Sequence, residues 1–298
     1  MTVTIGINPI TWTNDDMPEL GGDTPLEVCL TEAKHAGYSG IELGGKFPRR
    51  SSELMPIMQR YGLKIVSGWF DGRILEHEVE QEFDAATPHL QLLRDFNCKY
   101  VVYADVTRGV HNKIAAPISS RPKLSKTEFQ NYGKKITQLA EKMADFGVRM
   151  AFHHHMGTIV ESDDDVSSLM MNTGEAVGLL LDTGHSIFAG GNPLKLAEKH
   201  AKRIVHVHCK DSRRVVLEHS REKDAAFMRA VLDGIFTVPG DGFIDYPAIL
   251  KVLAGASYRG WLVVEAEQDP KKAHPLTYAT LGFKNLSRLA RDAGFTVA

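Results

Sequence analysis

A single (β/α)8 barrel is the fold class this sequence predicts, and three observations predict it. Eight short runs rich in β-branched and apolar residues recur along the chain, and between them lie longer segments whose apolar residues fall three and four apart. The length, 298 residues, suits one barrel of about 250 residues with insertions. One α/β domain spanning 1–298 therefore accounts for the whole sequence.

The elements follow in order. VTIGIN, Val3 to Asn8, is a β-branched run and reads as the first strand. LEVCLTEAKHAG has helical periodicity and closes on the helix-stop residue Gly37, after which SGIEL, Ser39 to Leu43, reads as the second strand. KIVSGWF (Lys64 to Phe70) and YVVYAD (Tyr100 to Asp105) are the third and fourth. KKITQLAEKMADFG repeats the helix-then-glycine logic at Gly147 and leads into VRMAFH, Val148 to His153. SDDDV near Asp163 places acids where a helix opens. VGLLLD, Val177 to Asp182, is the sixth strand; PLKLAEKHAK is helical; RIVHVH, Arg203 to His208, is the seventh. VPGDGFIDY reads as a turn into a helix capped by Asp245, and WLVVEAE, Trp261 to Glu267, is the eighth strand. Two connections exceed the usual two to six residues, Val106 to Leu124 and Asp211 to Tyr246. At the C-terminal rim of a barrel such segments build or cover an active site; the alternative is a peripheral insertion.

Composition narrows the partners. A formal net charge of -2, with 43% hydrophobic and 24% charged residues, gives no electrostatic pull toward nucleic acid or an anionic membrane. No segment reaches the roughly 18 to 20 apolar residues of a membrane span, and no charged and apolar leader opens the chain. Three cysteines, Cys29, Cys98 and Cys209, without Cys-x-x-Cys spacing, point to a reducing compartment. A cytoplasmic protein is expected. No Gly-x-Gly-x-x-Gly opens a helix after a strand, so no nicotinamide cofactor is expected.

The chemistry sits at strand ends. The fifth strand runs into His153, His154 and His155; the sixth ends in Asp182; the seventh alternates His206, His208 and Lys210; the eighth alternates Glu265 and Glu267. Side chains two apart on a strand share a face, so these groups can converge on the barrel mouth. Imidazoles and carboxylates from four adjacent strands suit a divalent cation such as Mn2+, Co2+, Fe2+, Mg2+ or Zn2+. Taken singly, each has a bland reading: a strand histidine as a bonded core residue, Asp182 before Thr183 and Gly184 as a helix cap. His154 should face away from its neighbours, and Cys209 should pack outward.

GINPITW, GYSGIELGGKFP, FHHHMGTIVES, LLLDTGHSIFAGG, HVHCKD, VPGDGFIDY and WLVVEAEQDP, in this order, resemble the inosose dehydratases within the xylose isomerase-like TIM-barrel superfamily. The resemblance implies that Asp182, His208 and Glu265 are metal ligands, completed by His153 in place of a glutamate common in the superfamily, or by Glu161. It implies His185 as a substrate contact or second-metal ligand, Mn2+ or Co2+ as the metal, and glutathione as an accessory cofactor. The reaction implied removes water from 2-keto-myo-inositol, a small polyol ketone, by loss of a proton next to the carbonyl and departure of the β-hydroxyl.

Lys210, Glu267, His155 and His185 are the candidates for acid and base. A lysine whose pKa is lowered by a neighbouring metal, or Glu267, is favoured for proton abstraction, and a histidine for the leaving group. Asn8, Trp12, Glu42, Trp69 and Asp105, at or near the ends of the first four strands, are candidates to hold the substrate. Competing readings are a sugar isomerase or epimerase on the same centre, a DNA-repair endonuclease, disfavoured by the charge, and a barrel that only binds ligand. Nothing in the sequence excludes a homo-oligomer.

Overall fold

The structure, a computed structural model, describes residues 1–298. Its eight barrel strands are β1 (Thr2–Ile7), β2 (Gly40–Leu43), β3 (Lys64–Gly72), β4 (Tyr100–Asp105), β5 (Arg149–His153), β6 (Val177–Asp182), β7 (Ile204–Cys209) and β8 (Gly260–Val264). They pair in parallel in chain order, and β8 closes on β1 with Val3 opposite Gly260 and Ile7 opposite Val264. Every strand C-terminus therefore lies at one rim. The expected eighth strand overran: β8 stops at Val264, and Glu265 extends it by one bond from its amide to the Cys209 carbonyl, 3.3 Å.

Helices α1 (Leu26–Ala36), α2 (Ser51–Tyr61), α3 (Val79–Asp95), α4 (Lys126–Phe146), α5 (Asp163–Asn172), α6 (Thr183–Phe188), α7 (Pro193–His200), α10 (Tyr246–Gly255) and α11 (Pro275–Asp292) follow the strands. The helix stops read from the sequence are left-handed glycines, Gly37 at φ 109° and Gly147 at φ 105°, a conformation closed to most side chains. Ser162 caps α5 in a reciprocal pair with Asp165, behind a first turn of three acids. Asp245 accepts the Ala248 amide at 3.1 Å and caps α10 as expected. Apolar faces of the helices and the outward residues of the strands form one core of 62 buried residues, Cys209 among them. Burying each large aliphatic side chain there stabilises by about 1.5–3 kcal/mol.

The segment from Asp211 to Tyr246 is structured. Two-residue strands Asp211–Ser212 and Phe236–Thr237 pair antiparallel and enclose helices α8 (Arg214–Glu222) and α9 (Phe227–Leu232). Phe188, Leu217, Phe227, Val231 and Phe236 give this unit its own small core. The segment after β4 touches it, the Ser119 amide donating to Asp224 Oδ1 at 3.0 Å. No helix is long and apolar enough to cross a membrane.

Candidate metal centre

The pleat sends alternate residues of each strand into the barrel, and a register shift between β6 and β7 sets the phase of the seventh strand. Beyond that shift Leu180 stands opposite His206 and Asp182 opposite His208. At the rim, His153, Asp182, His208 and Glu265 each bring a ligand-type atom to within 4.8 Å of the others, all buried. His153 Nε2 lies 3.4 Å and His208 Nδ1 3.6 Å from Asp182 Oδ2, and His208 Nδ1 touches Glu265 Oε2.

Asp182 uses its two oxygens differently. Oδ1 accepts the His185 amide at 2.8 Å and caps α6. Oδ2 is buried without a hydrogen-bond partner, as are His208 Nδ1 and Glu265 Oε2. Asp182 Oδ2 is left bare, and His208 Nδ1 and Glu265 Oε2 meet only each other, an arrangement in a buried site that suits a cation between the three. Two carboxylates, Asp182 and Glu265, and two imidazoles, His153 and His208, meet there, a charge and donor balance that suits a divalent ion. The donor set fits such an ion.

Burial alone would raise Asp182 and Glu265, but neighbouring groups, His185 and Lys210 for the first, His208 and Lys210 for the second, hold both below their ordinary values. His208 goes up despite burial, because Glu265 and Glu42 favour its charged form. His153 goes down, with burial the main cause.

Glu42, expected to hold substrate, lines the cleft and also meets four side-chain donors: Asn8 at 2.7 Å, Ser67 at 2.5 Å, His206 at 2.9 Å and His208 at 3.2 Å. It is the carboxylate behind His208, fixing the ring so that Nδ1 faces the centre. His154 turns away as expected, its Nε2 accepting the Asp182 amide at 3.2 Å. Glu161 is not part of the cluster; its carboxylate accepts the Gly157 amide at 2.6 Å and pairs with Arg121 at 3.2 Å.

A cleft of about 90 Å3 opens onto the centre, lined among others by Asn8, Asp16, Trp69, His155, His208, Glu265 and Glu267. No lysine or arginine lines it. Trp69 stands edge-on to His153 and His155, with ring centroids 5.3 and 5.5 Å apart. The His155 Nδ1 lies 2.8 Å from the Met156 carbonyl, which can only accept, so Nδ1 carries the proton and Nε2 the lone pair. Burial, then His111 and His153, keeps this ring neutral. Glu267 Oε1 accepts from Asn14 at 2.9 Å, and burial raises the acid to about 7 against the pull of Lys210.

Other expected site residues do not line the cleft. Trp12 is carried off the rim by the 3-10 turn Pro9–Thr11 into the core, where its Nε1 donates to Glu32 at 2.6 Å. Asp105 spends both oxygens on backbone, accepting Leu75 and Thr107 amides at 3.0 Å each. His185 lies behind His155, their ring centroids 4.0 Å apart, under a stacked Phe227. Its Nδ1 faces the Met156 amide at 3.2 Å and its Nε2 faces Lys210 at 3.0 Å, two donors competing for the single lone pair of a neutral ring.

Lys210 is fully buried, 2.7 Å from Glu265 and 3.5 Å from Glu267. Burial presses toward the amine, but Glu265, Asp182 and Glu267 outweigh it and raise the lysine's pKa. Asn14, Asp16 and His111, near or in the cleft, were not among the expected residues; they sit on segments without periodicity, the first two on the polar run after the first strand and His111 on the long connection after the fourth.

A family model described as a xylose isomerase-like TIM barrel matches residues 30–289. The chain is 61% identical over 298 residues to the rhizopine catabolism protein MocC of Rhizobium meliloti, covering 100% of this chain and 92% of that protein. It is 38% identical over 280 residues to inosose dehydratase 2 of Bacillus cereus, covering 93% of this chain and 94% of the relative. Among solved structures, the IolI protein with a bound zinc atom superposes with a TM-score of 0.71 at 18% identity, over 98% of this chain and 99% of that one.

Proposed function

We propose that this chain, which belongs to the xylose isomerase-like TIM-barrel family, is a metal-dependent hydro-lyase that converts 2-keto-myo-inositol (scyllo-inosose) to a trihydroxycyclohexane-1,2-dione and water. The observation that carries the reading is a four-residue buried cluster, His153, Asp182, His208 and Glu265, opening onto a cleft that presents His155 and Glu267. The inosose dehydratases at 38% identity supply the substrate class. A cleft with several carboxylates and no cationic side chain suits an uncharged polyol and opposes a phosphate or nucleic acid.

His153, Asp182, His208 and Glu265 would hold Mn2+ or Co2+, which when bound supplies Lewis-acid stabilisation of charge developing on the carbonyl oxygen. The protein's own groups move the protons. His155 Nε2, bare because Nδ1 is bonded to Met156, takes the proton next to the carbonyl. The C–O bond to the β-hydroxyl then breaks, and protonated Glu267, held by Asn14, gives its proton so that water leaves. The resulting enol becomes the second carbonyl. This inverts the sequence-based preference: a neutral imidazole has no spare proton for a leaving group, and Lys210, hidden behind Glu265 and Glu267, holds those carboxylates in place. Asn8 and Trp69 bound the ring of the substrate.

The test is incubation with scyllo-inosose, Mn2+ or Co2+ and reduced glutathione, followed by ultraviolet absorbance of the dione. Dione formation, abolished in Glu267→Gln, is the expected result. Isomerised sugar without dione would replace this reading with an isomerase or epimerase on the same centre.

A further inference from the structure

A second cavity, of about 880 Å3, lies at the opposite end of the barrel, among the first residues of the strands and the last turns of α2 and α3. That volume falls within the roughly 300–1,000 Å3 of small-molecule sites. Its floor includes His206, 1% exposed, whose Nε2 is engaged by Glu42 and whose Nδ1 makes no hydrogen bond to the protein. That nitrogen, on a residue lining the cavity and without a protein partner, is open to one from a ligand or solvent.

The wall is aromatic and aliphatic. Trp261 shares its face of β8 with Val263 and Glu265 and so points into the barrel. Glycines on neighbouring strands make room for it: a Cβ at Gly40 would stand 2.9 Å, and one at Gly6 3.3 Å, from the indole. Tyr100, Val66 and Val205 continue the wall.

The rim carries one sign of charge. Lys64, Lys99 and Arg259 are exposed there, and none of the 20 lining residues is Asp or Glu. The lysine ion pairs of the chain are made elsewhere, by Lys135, Lys142 and Lys210, so these charges are uncompensated in a chain of net charge -2. A bare inorganic anion would leave the Trp261 wall uncovered, and an uncharged aromatic would leave the cations unused.

We propose that this cavity is a second ligand site, for an aryl carboxylate whose ring lies along Trp261 and Tyr100 above the His206 floor and whose acid group meets Lys64, Lys99 and Arg259. Binding there is separate from the metal centre, although the floor and His208 share the Glu42 carboxylate.

Naphthalene-2-carboxylate is the probe, titrated calorimetrically into the full chain, with naphthalene-2-carboxamide as its neutral counterpart. Saturable binding is expected, weakened at least about tenfold by loss of the probe's charge or by the exposed-residue double variant Lys64→Glu/Arg259→Glu. Glu267→Gln, at the other end of the barrel, should leave it unchanged. No saturable binding, or equal affinity for the amide, overturns the proposal. So does binding lost in Glu267→Gln but kept in the double variant, which would place the probe in the cleft. Dimers that the double variant dissociates would instead make the cavity a contact between two copies of this chain.

Discussion

Glu42→Gln conserves the shape of a side chain that four donors surround, and removes its charge. The carboxylate accepts from Asn8 at 2.7 Å, Ser67 at 2.5 Å, His206 at 2.9 Å and His208 at 3.2 Å. An amide offers one accepting oxygen and turns an NH2 toward donors, so even with that oxygen at the Oε1 position, where Ser67, His206 and His208 bond, Asn8 loses its partner. Removing the acid behind a ligating histidine weakens metal binding about 10–100-fold, or about 1.4–2.7 kcal/mol. Breaking a buried charged network costs the fold about 3–5 kcal/mol.

The pH dependence has a definite sign. Burial would raise Glu42, but His208 and His206 outweigh it and hold the acid well below the usual glutamate range. Its contribution to stability is therefore present above about pH 4.5 and disappears as pH falls through the depressed native value. Calorimetric titration of Mn2+ into both proteins at pH 7 reads the first effect. Thermal unfolding in chelator from pH 7 down to 3 reads the second, and the gap between the proteins should close at the acid end. Unchanged Mn2+ affinity would refute the claim that Glu42 positions His208.

Asp182→Asn keeps an oxygen for the His185 amide and should hold its melting temperature in chelator while losing metal-dependent stabilisation; Asp182→Ala should lose the cap as well, about 1 kcal/mol further. A chelator should lower the melting temperature of the unsubstituted chain, and metal at about a thousand times its dissociation constant should restore about 4 kcal/mol; equal melting curves with and without metal would contradict the centre. Turnover should fall as pH rises through about 7, where Glu267 gives up its proton, because its raised value makes the protonated form the one retained below that pH. A flat profile from pH 6 to 8 would remove Glu267 from the acid role. Phe227→Ala opens the cover over His185 and His155 and should cost about 3–5 kcal/mol in chemical denaturation.

The barrel was legible because its signals are local. Glycine stops at Gly37 and Gly147, the acidic opening of α5 and the Asp245 cap all appear where their residues indicated. The unit between Asp211 and Tyr246 was read only as a long connection, because its helices are nine and six residues long and its strands two, too short for periodicity to register. At the site, strand phase placed His153, Asp182 and His208 on the inner face. It could not foresee that Trp12 would leave with the 3-10 turn, or that Asp105 would be used up by two amides.

By itself the sequence determined which strand ends carry acids and imidazoles and that they share a rim, since side chains alternate with period two and parallel βα units point every strand the same way. Tertiary structure alone decided how those groups divide their work. Asp182 is at once cap and candidate ligand because its two oxygens face different partners. Glu42 serves His206 and His208 because barrel closure brings residues 164 and 166 positions apart into hydrogen-bond range. Lys210 has its pKa raised because Glu265, Asp182 and Glu267 outweigh its burial. Such outcomes depend on distances across the barrel, and local sequence pattern carries no term for them.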